Sequence, residues 1–253
     1  AMVDLVRQHD PQWFERVGLP PIDAEATPEA GFPQPAAGAD GFAREFDAKL
    51  DGHLSRLIDS SDRAEDIVAD AVRATFGLTA AEMTTDEALD RLLNPARNPY
   101  RLETLNVSYH SPLMRALQHP SYTFAKRISH TADSQDQRHR CVPASRPLLT
   151  FADTREPDFV TPRPIARNPA ARDVYESSMT AAWTAKNQLL ELGVPVEFAV
   201  YVLPNAKAVR FVESGPLIAL LHKWTQRTCF NAQEEIYDAS MDELDQVRAR
   251  HPR

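Results

Sequence analysis

Apolar positions recur at helical spacing through the first part of the chain. Phe42, Phe46, Leu50, Leu54 and Leu57 form one stripe, and Ile67, Val68, Ala71, Val72 and Phe76 form a second that Gly77 ends. Thr84-Thr-Asp-Glu87 has the form of a capping box and opens a third helix through Leu93, which Asn94-Pro95 closes. Such stripes are packing surfaces, and His53 on the first reads as an interface or core residue. At Arg101 the period changes to two. Leu102, Thr104, Asn106 and Ser108 alternate with Glu103, Leu105, Val107 and Tyr109, which predicts a strand.

Further along, a short helix is expected from Ser111-Pro112 through Leu117, a strand over Tyr122–Ile128 and a helix over His130–Gln137. Residues 141–169 carry six prolines and read as loop. Asn168-Pro169 starts a long helix that reaches Leu192 and stops at Gly193. A strand over Lys207–Val212 and helices from Pro216 to Cys229 and Ala232 to Val247 complete the chain. Ahead of all these, residues 1–41 hold a short helix near Gln12–Val17 and then a proline-rich tether. The pattern divides the chain into a tether and helical region, 1–100, and a domain, 101–253.

The composition, 43% apolar and 25% charged over 253 residues, suits a globular protein with a core. A net charge of -8 argues against a nucleic-acid partner but leaves room for a nucleotide, which needs only local positive charge. No apolar run approaches the roughly 20 residues of a membrane span, and no leader-like segment opens the chain. Two cysteines, Cys141 and Cys229, are too few for a disulfide framework or a zinc site, so no metal and a cytoplasmic setting are expected. Eight glycines form neither a Gly-x-Gly-x-x-Gly nor a P-loop pattern. Any phosphate must therefore be held by side chains or helix ends.

The candidate for that task is Gln135-Asp-Gln-Arg-His-Arg140. Three adjacent cation-capable side chains cannot share one helical face, so Arg138, His139 and Arg140 fan out around a helix end. Guanidinium forks bind phosphate oxygens in pairs, and the arrangement suits a pyrophosphate. A solvated basic patch is the bland alternative.

Four stretches resemble, in order and near spacing, the flavin-dependent thymidylate synthases (the ThyX family). They are Ser111-Pro-Leu113, Gln135-x-x-Arg138-His139-Arg140, Leu192-Gly-Val-Pro-x-Glu197 with Val202-Leu-Pro204, and Arg227 with Ala232-Gln233-x-Glu235-Ile236. The resemblance covers Leu102 to the end. It implies an α/β (α+β) fold whose mostly antiparallel sheet is wrapped by helices, in a homotetramer with sites between subunits. It also implies transfer of a methylene from methylenetetrahydrofolate to dUMP, with FAD reduced by NADPH. Arg138, His139, Arg140 and His222 would then bind the flavin, although His222 also reads as an ordinary helix-surface histidine. Gln135, Arg138 and Arg227 would face the nucleotide, and Arg227 would stabilise negative charge at N3 of the pyrimidine.

Several positions depart from the family pattern. Leu148 stands where the family has a serine, Val200 where it has a nucleotide-binding arginine, and Arg115 where it has a histidine. The family's Ser-x-Arg-Tyr ending is absent, and Ser145 and Arg146 fill in only if the loop is three residues shorter. The helix before Arg138, apolar in the family, is polar here. Two functions follow: an enzyme of this family acting on dUMP or a related nucleotide, or a catalytically degenerate copy that completes a paired ThyX-like chain. An unrelated helical interaction module is a third reading, which an antiparallel sheet near Leu102–Ile128 excludes.

Overall fold

The computed structural model describes residues 2–18, 24–33, 35, 38–102 and 107–253. Residues 1–36 and 37–253 are separate compact units. The first holds two short helices, α1 (Met2–His9) and α2 (Trp13–Val17), neither with a buried residue.

In the second unit, helix α3 (Asp40–Leu50) ends where Asp51 and Gly52 take φ of 54° and 86°. Two successive left-handed residues stop a helix. Leu54 and Leu57, expected on the same helical stripe, therefore lie beyond it, and strand β1 (Ser55–Ser60) follows. Their side chains still pack on the core, so two elements in succession imitate one helical period. Helices α4 (Ala64–Phe76) and α5 (Thr85–Leu93) form as expected, and the Thr84 hydroxyl accepts the Glu87 N–H at 3.2 Å. The strand expected over 102–109 does not appear at its ends. Pro99–Leu102 and Val107–His110 are 3-10 turns, and residues 103–106 lie outside the described residues. A further 3-10 turn, Met114–Gln118, stands near the expected short helix.

Strand β2 (Ser121–Ser129), helix α6 (His130–Asp136), the two-residue β3 (Ala144–Ser145), α7 (Arg163–Ala166), the long α8 (Pro169–Glu191) and α9 (Val196–Ala199) follow. Strand β4 (Ala208–Pro216) starts one residue later and ends four residues later than expected, and α10 (Leu217–Arg227) and α11 (Glu234–Arg250) close the chain. The sheet runs β1-β2-β4-β3 and is antiparallel throughout, which excludes the unrelated helical module.

Register explains the sheet's two faces. Phe124 lies opposite Glu213, Lys126 opposite Phe211 and Ile128 opposite Val209, so all six side chains share one face. Helices α6, α10 and α11 cover that face through Ala132, Ala219, Leu220, Trp224, Ile236 and Ala239. The other face carries Arg127 and Arg210, and Arg210 is bound by Asp47 of α3 at 2.6 and 2.7 Å and by Asp158 at 2.6 and 3.0 Å. A glycine on β4 sets how closely the loop after Arg140 can approach. A Cβ on Gly215 would stand 3.2 Å from Val142 Cγ2, so its bare backbone lets that loop lie directly on the strand.

Candidate active site at the junction of two helix ends

Helix α6 is fixed at its start. Ser129 Oγ accepts the Ala132 N–H at 3.1 Å, while the Glu235 carboxylate of α11 accepts from Ser129 N at 2.5 Å and from Ser129 Oγ at 2.6 Å. The conspicuous Glu235 of the last motif is thus the brace that aims α6. At the other end, Arg138 N bonds Gln135 O at 3.3 Å and His139 N bonds Asp136 O at 3.1 Å, so the chain leaves the helix in tight turns. The three side chains fan out as expected. Arg138 and Arg140 are exposed, with no carboxylate partner among the described residues, and His139 turns inward, half-buried.

Helix α10 brings the second half. Arg227 on its last turn donates from Nη2 to the carbonyl oxygen of Gln135 at 2.7 Å, across 92 residues of chain. Five residues back, the His222 ring meets the His139 ring edge-on with centroids 6.0 Å apart. The structure therefore brings Gln135, His139, His222 and Arg227 to one place, with Arg138 and Arg140 at its edge. A cleft lined by Tyr100, Tyr109, His222 and Thr225 opens beside it.

Polar atoms at this junction are buried and unpartnered: Gln135 Oε1, His139 Nε2 and Arg227 Nε. Gln233 Oε1, at the start of α11, is in the same condition. Buried polar atoms are nearly always satisfied, and those without a protein partner mark the place of a ligand, an ordered water or a strain reservoir. Burial pushes the His139 imidazole down to about 4, and the neighbouring charges of Arg227 and Lys223 add to it. His139 is thus neutral near pH 7 and able to present either a donor or an acceptor. Sequence reasoning does not single out Gln233 as a site residue. Its motif position is visible, but an amide gives no charge signal to set it apart from Glu235 beside it.

Behind the junction lies a buried charge network. Asp136 sits 2.8 Å from Lys223 Nζ, 3.5 Å from Lys126 Nζ and 3.1 Å from Arg146 Nη2. Lys223 also bonds Glu213, and Lys126 bonds Glu213 at 2.6 Å and Glu243 at 2.5 Å. Ser55 Oγ and Trp224 Nε1 complete the Glu243 carboxylate at 2.8 and 2.7 Å. Burial alone would raise the Asp136 carboxyl, but Lys126 and Lys223 more than offset it and hold it far below the usual range. Burial raises Glu213 in spite of the two lysines.

Arg146 belongs to this network. Its Nε bonds Asp133 at 2.7 Å and its guanidinium lies 4.6 Å from the Phe211 ring centroid. Its guanidinium is engaged with protein groups. Leu148 is exposed, and Val200 is half-buried in a 3-10 turn, Val200–Val202. Neither offers a substitute for the missing polar groups.

The sequence is similar to those of several known proteins. The flavin-dependent thymidylate synthase of Geobacter sulfurreducens is 29% identical over 185 residues, 72% of this chain and 78% of its own. The enzyme of the same description from Sulfolobus acidocaldarius is 33% identical over 138 residues, and that from Nitratidesulfovibrio vulgaris 33% over 129. In those two the match spans 53% of the relative's length. The family model described as "Thymidylate synthase complementing protein" matches residues 56–253, from the first sheet strand to the last residue. The chain belongs to that family, the flavin-dependent thymidylate synthases.

Proposed function

We propose that the chain is a flavin-dependent thymidylate synthase that methylates dUMP, or a related nucleotide, reductively. The observation that carries this reading is the set of buried, unpartnered atoms on Gln135, His139 and Arg227 beside two exposed arginines. FAD fits such a donor set: a diphosphate needs cations without carboxylate partners, and a flavin edge needs amide, imidazole and guanidinium groups. Arg138 and Arg140 would hold the phosphates, with His139 and His222 against the ring system. Bound there, FAD would supply hydride chemistry, with NADPH as reductant and methylenetetrahydrofolate as carbon donor.

The nucleotide would lie against Gln135, Arg138 and Arg227. Arg227 spends one N–H on the Gln135 carbonyl, which orients the guanidinium and leaves its buried Nε–H free for the pyrimidine. A fixed cation there stabilises negative charge developing at N3, and pre-organised charge of this kind is the largest common source of rate enhancement. Leu192 after α8, Phe198 on α9 and Tyr201 in the following 3-10 turn are exposed apolar side chains. Exposed apolar side chains so close in sequence support a homo-oligomer or a paired ThyX-like chain. No helix among the described residues is long and apolar enough to cross a membrane. A cytoplasmic, non-membrane enzyme without a nucleic-acid partner is the reading we adopt. The test is growth of a thymidine-requiring strain carrying this gene without thymidine. Rescue that disappears with Arg227→Ala supports the proposal, and no rescue by a well-expressed chain counts against it.

A further inference from the structure

We propose that Asp136 and Lys223 are positioning residues: their buried ion pair locks the end of α6 onto α10 and thereby sets where Arg227 and His139 stand. The inference rests on the flavin-site reading for its meaning, but its geometry is independent of any ligand.

Two ties join these helices, one turn apart. Lys223 and Arg227 are four residues apart on α10 and so lie on one face. Asp136 and Gln135 are adjacent at the end of α6. Lys223 Nζ meets the Asp136 carboxylate at 2.8 Å, and Arg227 Nη2 meets the Gln135 carbonyl at 2.7 Å. The second tie is a single neutral-acceptor bond on a half-buried arginine. The first is fully buried, with side-chain exposures of 0% and 1%. The buried pair is therefore the stiffer of the two, and Arg227 inherits its position from it.

The same residue also reaches forward. Asp136 O accepts the His139 N–H at 3.1 Å, and its side chain holds Arg146 at 3.1 Å in the loop beyond. Both chain segments flanking Arg138-His139-Arg140 are thus referred to one residue. A core could be filled more simply by apolar side chains, and replacing a buried ion pair with them is often neutral or stabilising. What apolar packing lacks is a single fixed distance. A misplacement of about 1 Å at a reacting centre costs on the order of a hundred-fold in rate, so a defined distance has value here that it lacks in an ordinary core.

The experiment compares the full chain with Asp136→Leu/Lys223→Met, which removes one charge of each sign, and with Asp136→Asn. A control, Asp153→Leu/Lys186→Met, removes another buried pair elsewhere, at 2.8 and 2.9 Å. Melting temperature reports the fold. FAD affinity is read by flavin fluorescence, and exchange of the Arg227 Nε–H with water by NMR on the ligand-free protein. We expect FAD affinity to fall about tenfold or more and Arg227 Nε–H exchange to accelerate by at least about tenfold in both Asp136 variants. The control should change neither, whatever its melting temperature. Arg227 exchange as slow as in the unaltered chain, or a loss of affinity equal to the control's, overturns the positioning role. A parent protein that takes no FAD overturns the flavin reading instead, and the exchange measurement then still decides the positioning role.

Discussion

Arg227 Nη2 donates to the main-chain oxygen of Gln135 at 2.7 Å, tying the end of one helix to the end of another. A backbone acceptor cannot be removed by side-chain change, so Arg227 keeps its anchor whatever occupies position 135. Arg227→Lys retains the charge but loses the planar fork and the Nε–H. Nucleotide affinity should fall by about 1.5–3 kcal/mol, or tenfold to a hundred-fold, as read by calorimetry, with the fold intact by circular dichroism.

His139 should titrate near pH 4 by NMR, because burial and the Arg227 and Lys223 charges favour its neutral form. The unfolded chain binds that proton near pH 6.5. Between those values the unfolded state holds more protons, so His139 lowers stability as pH falls from about 6.5 toward 4 and is without effect above. His139→Gln should lose less stability than the parent across that window in urea titrations at several pH values. An equal loss would contradict the assignment.

Arg138 and Arg140 are exposed and unpaired among the described residues, so neither supports the fold. Arg138→Ala/Arg140→Ala should leave the unfolding free energy within about 0.5 kcal/mol per site. FAD affinity should drop about tenfold or more, with a shallower dependence on salt, because charge-assisted phosphate contacts are lost. A parental affinity in that variant would show that the phosphates lie elsewhere.

Glu235 shows the opposite behaviour. Its carboxylate accepts from Ser129 N at 2.5 Å and Ser129 Oγ at 2.6 Å. Glu235→Ala removes two charge-assisted bonds and should destabilise the chain by about 2–4 kcal/mol in denaturant titration. FAD affinity of the protein that stays folded should fall as well, because the start of α6 loses its brace.

Much of this was legible in the sequence, for identifiable reasons. The capping residues Thr84 and Asn168 mark helix starts, and each accepts a backbone N–H of the first turn. The cationic Arg138-His139-Arg140 cluster and Arg227 stand out by charge, and α10 brings Arg227 to the helix end. Leu54 and Leu57 misled because helical spacing continues across the break at Asp51-Gly52. Lys126, Glu213 and Lys223 carried no signal at all. A charged residue in a strand or amphipathic helix reads as solvent-facing, and only register across β2 and β4, with α10 laid over it, buries these three on the covered face. Arg146 was likewise invisible as a core partner, since its acceptors lie 10 and 13 residues back on a helix.

The family resemblance implies a nucleotide-binding arginine at the place of Val200. Restoring a guanidinium with Val200→Arg should strengthen dUMP binding by roughly tenfold if the position faces the phosphate as the family resemblance implies. Calorimetry of the two proteins with dUMP decides it, and unchanged affinity would place the phosphate elsewhere.

The visible absorption spectrum of the purified protein, after incubation with FAD and gel filtration, tests the flavin site most directly. The expected result is a retained flavin band whose position shifts on titration with dUMP, and whose shift is lost in Arg227→Ala. A colourless protein after that treatment would contradict the flavin assignment.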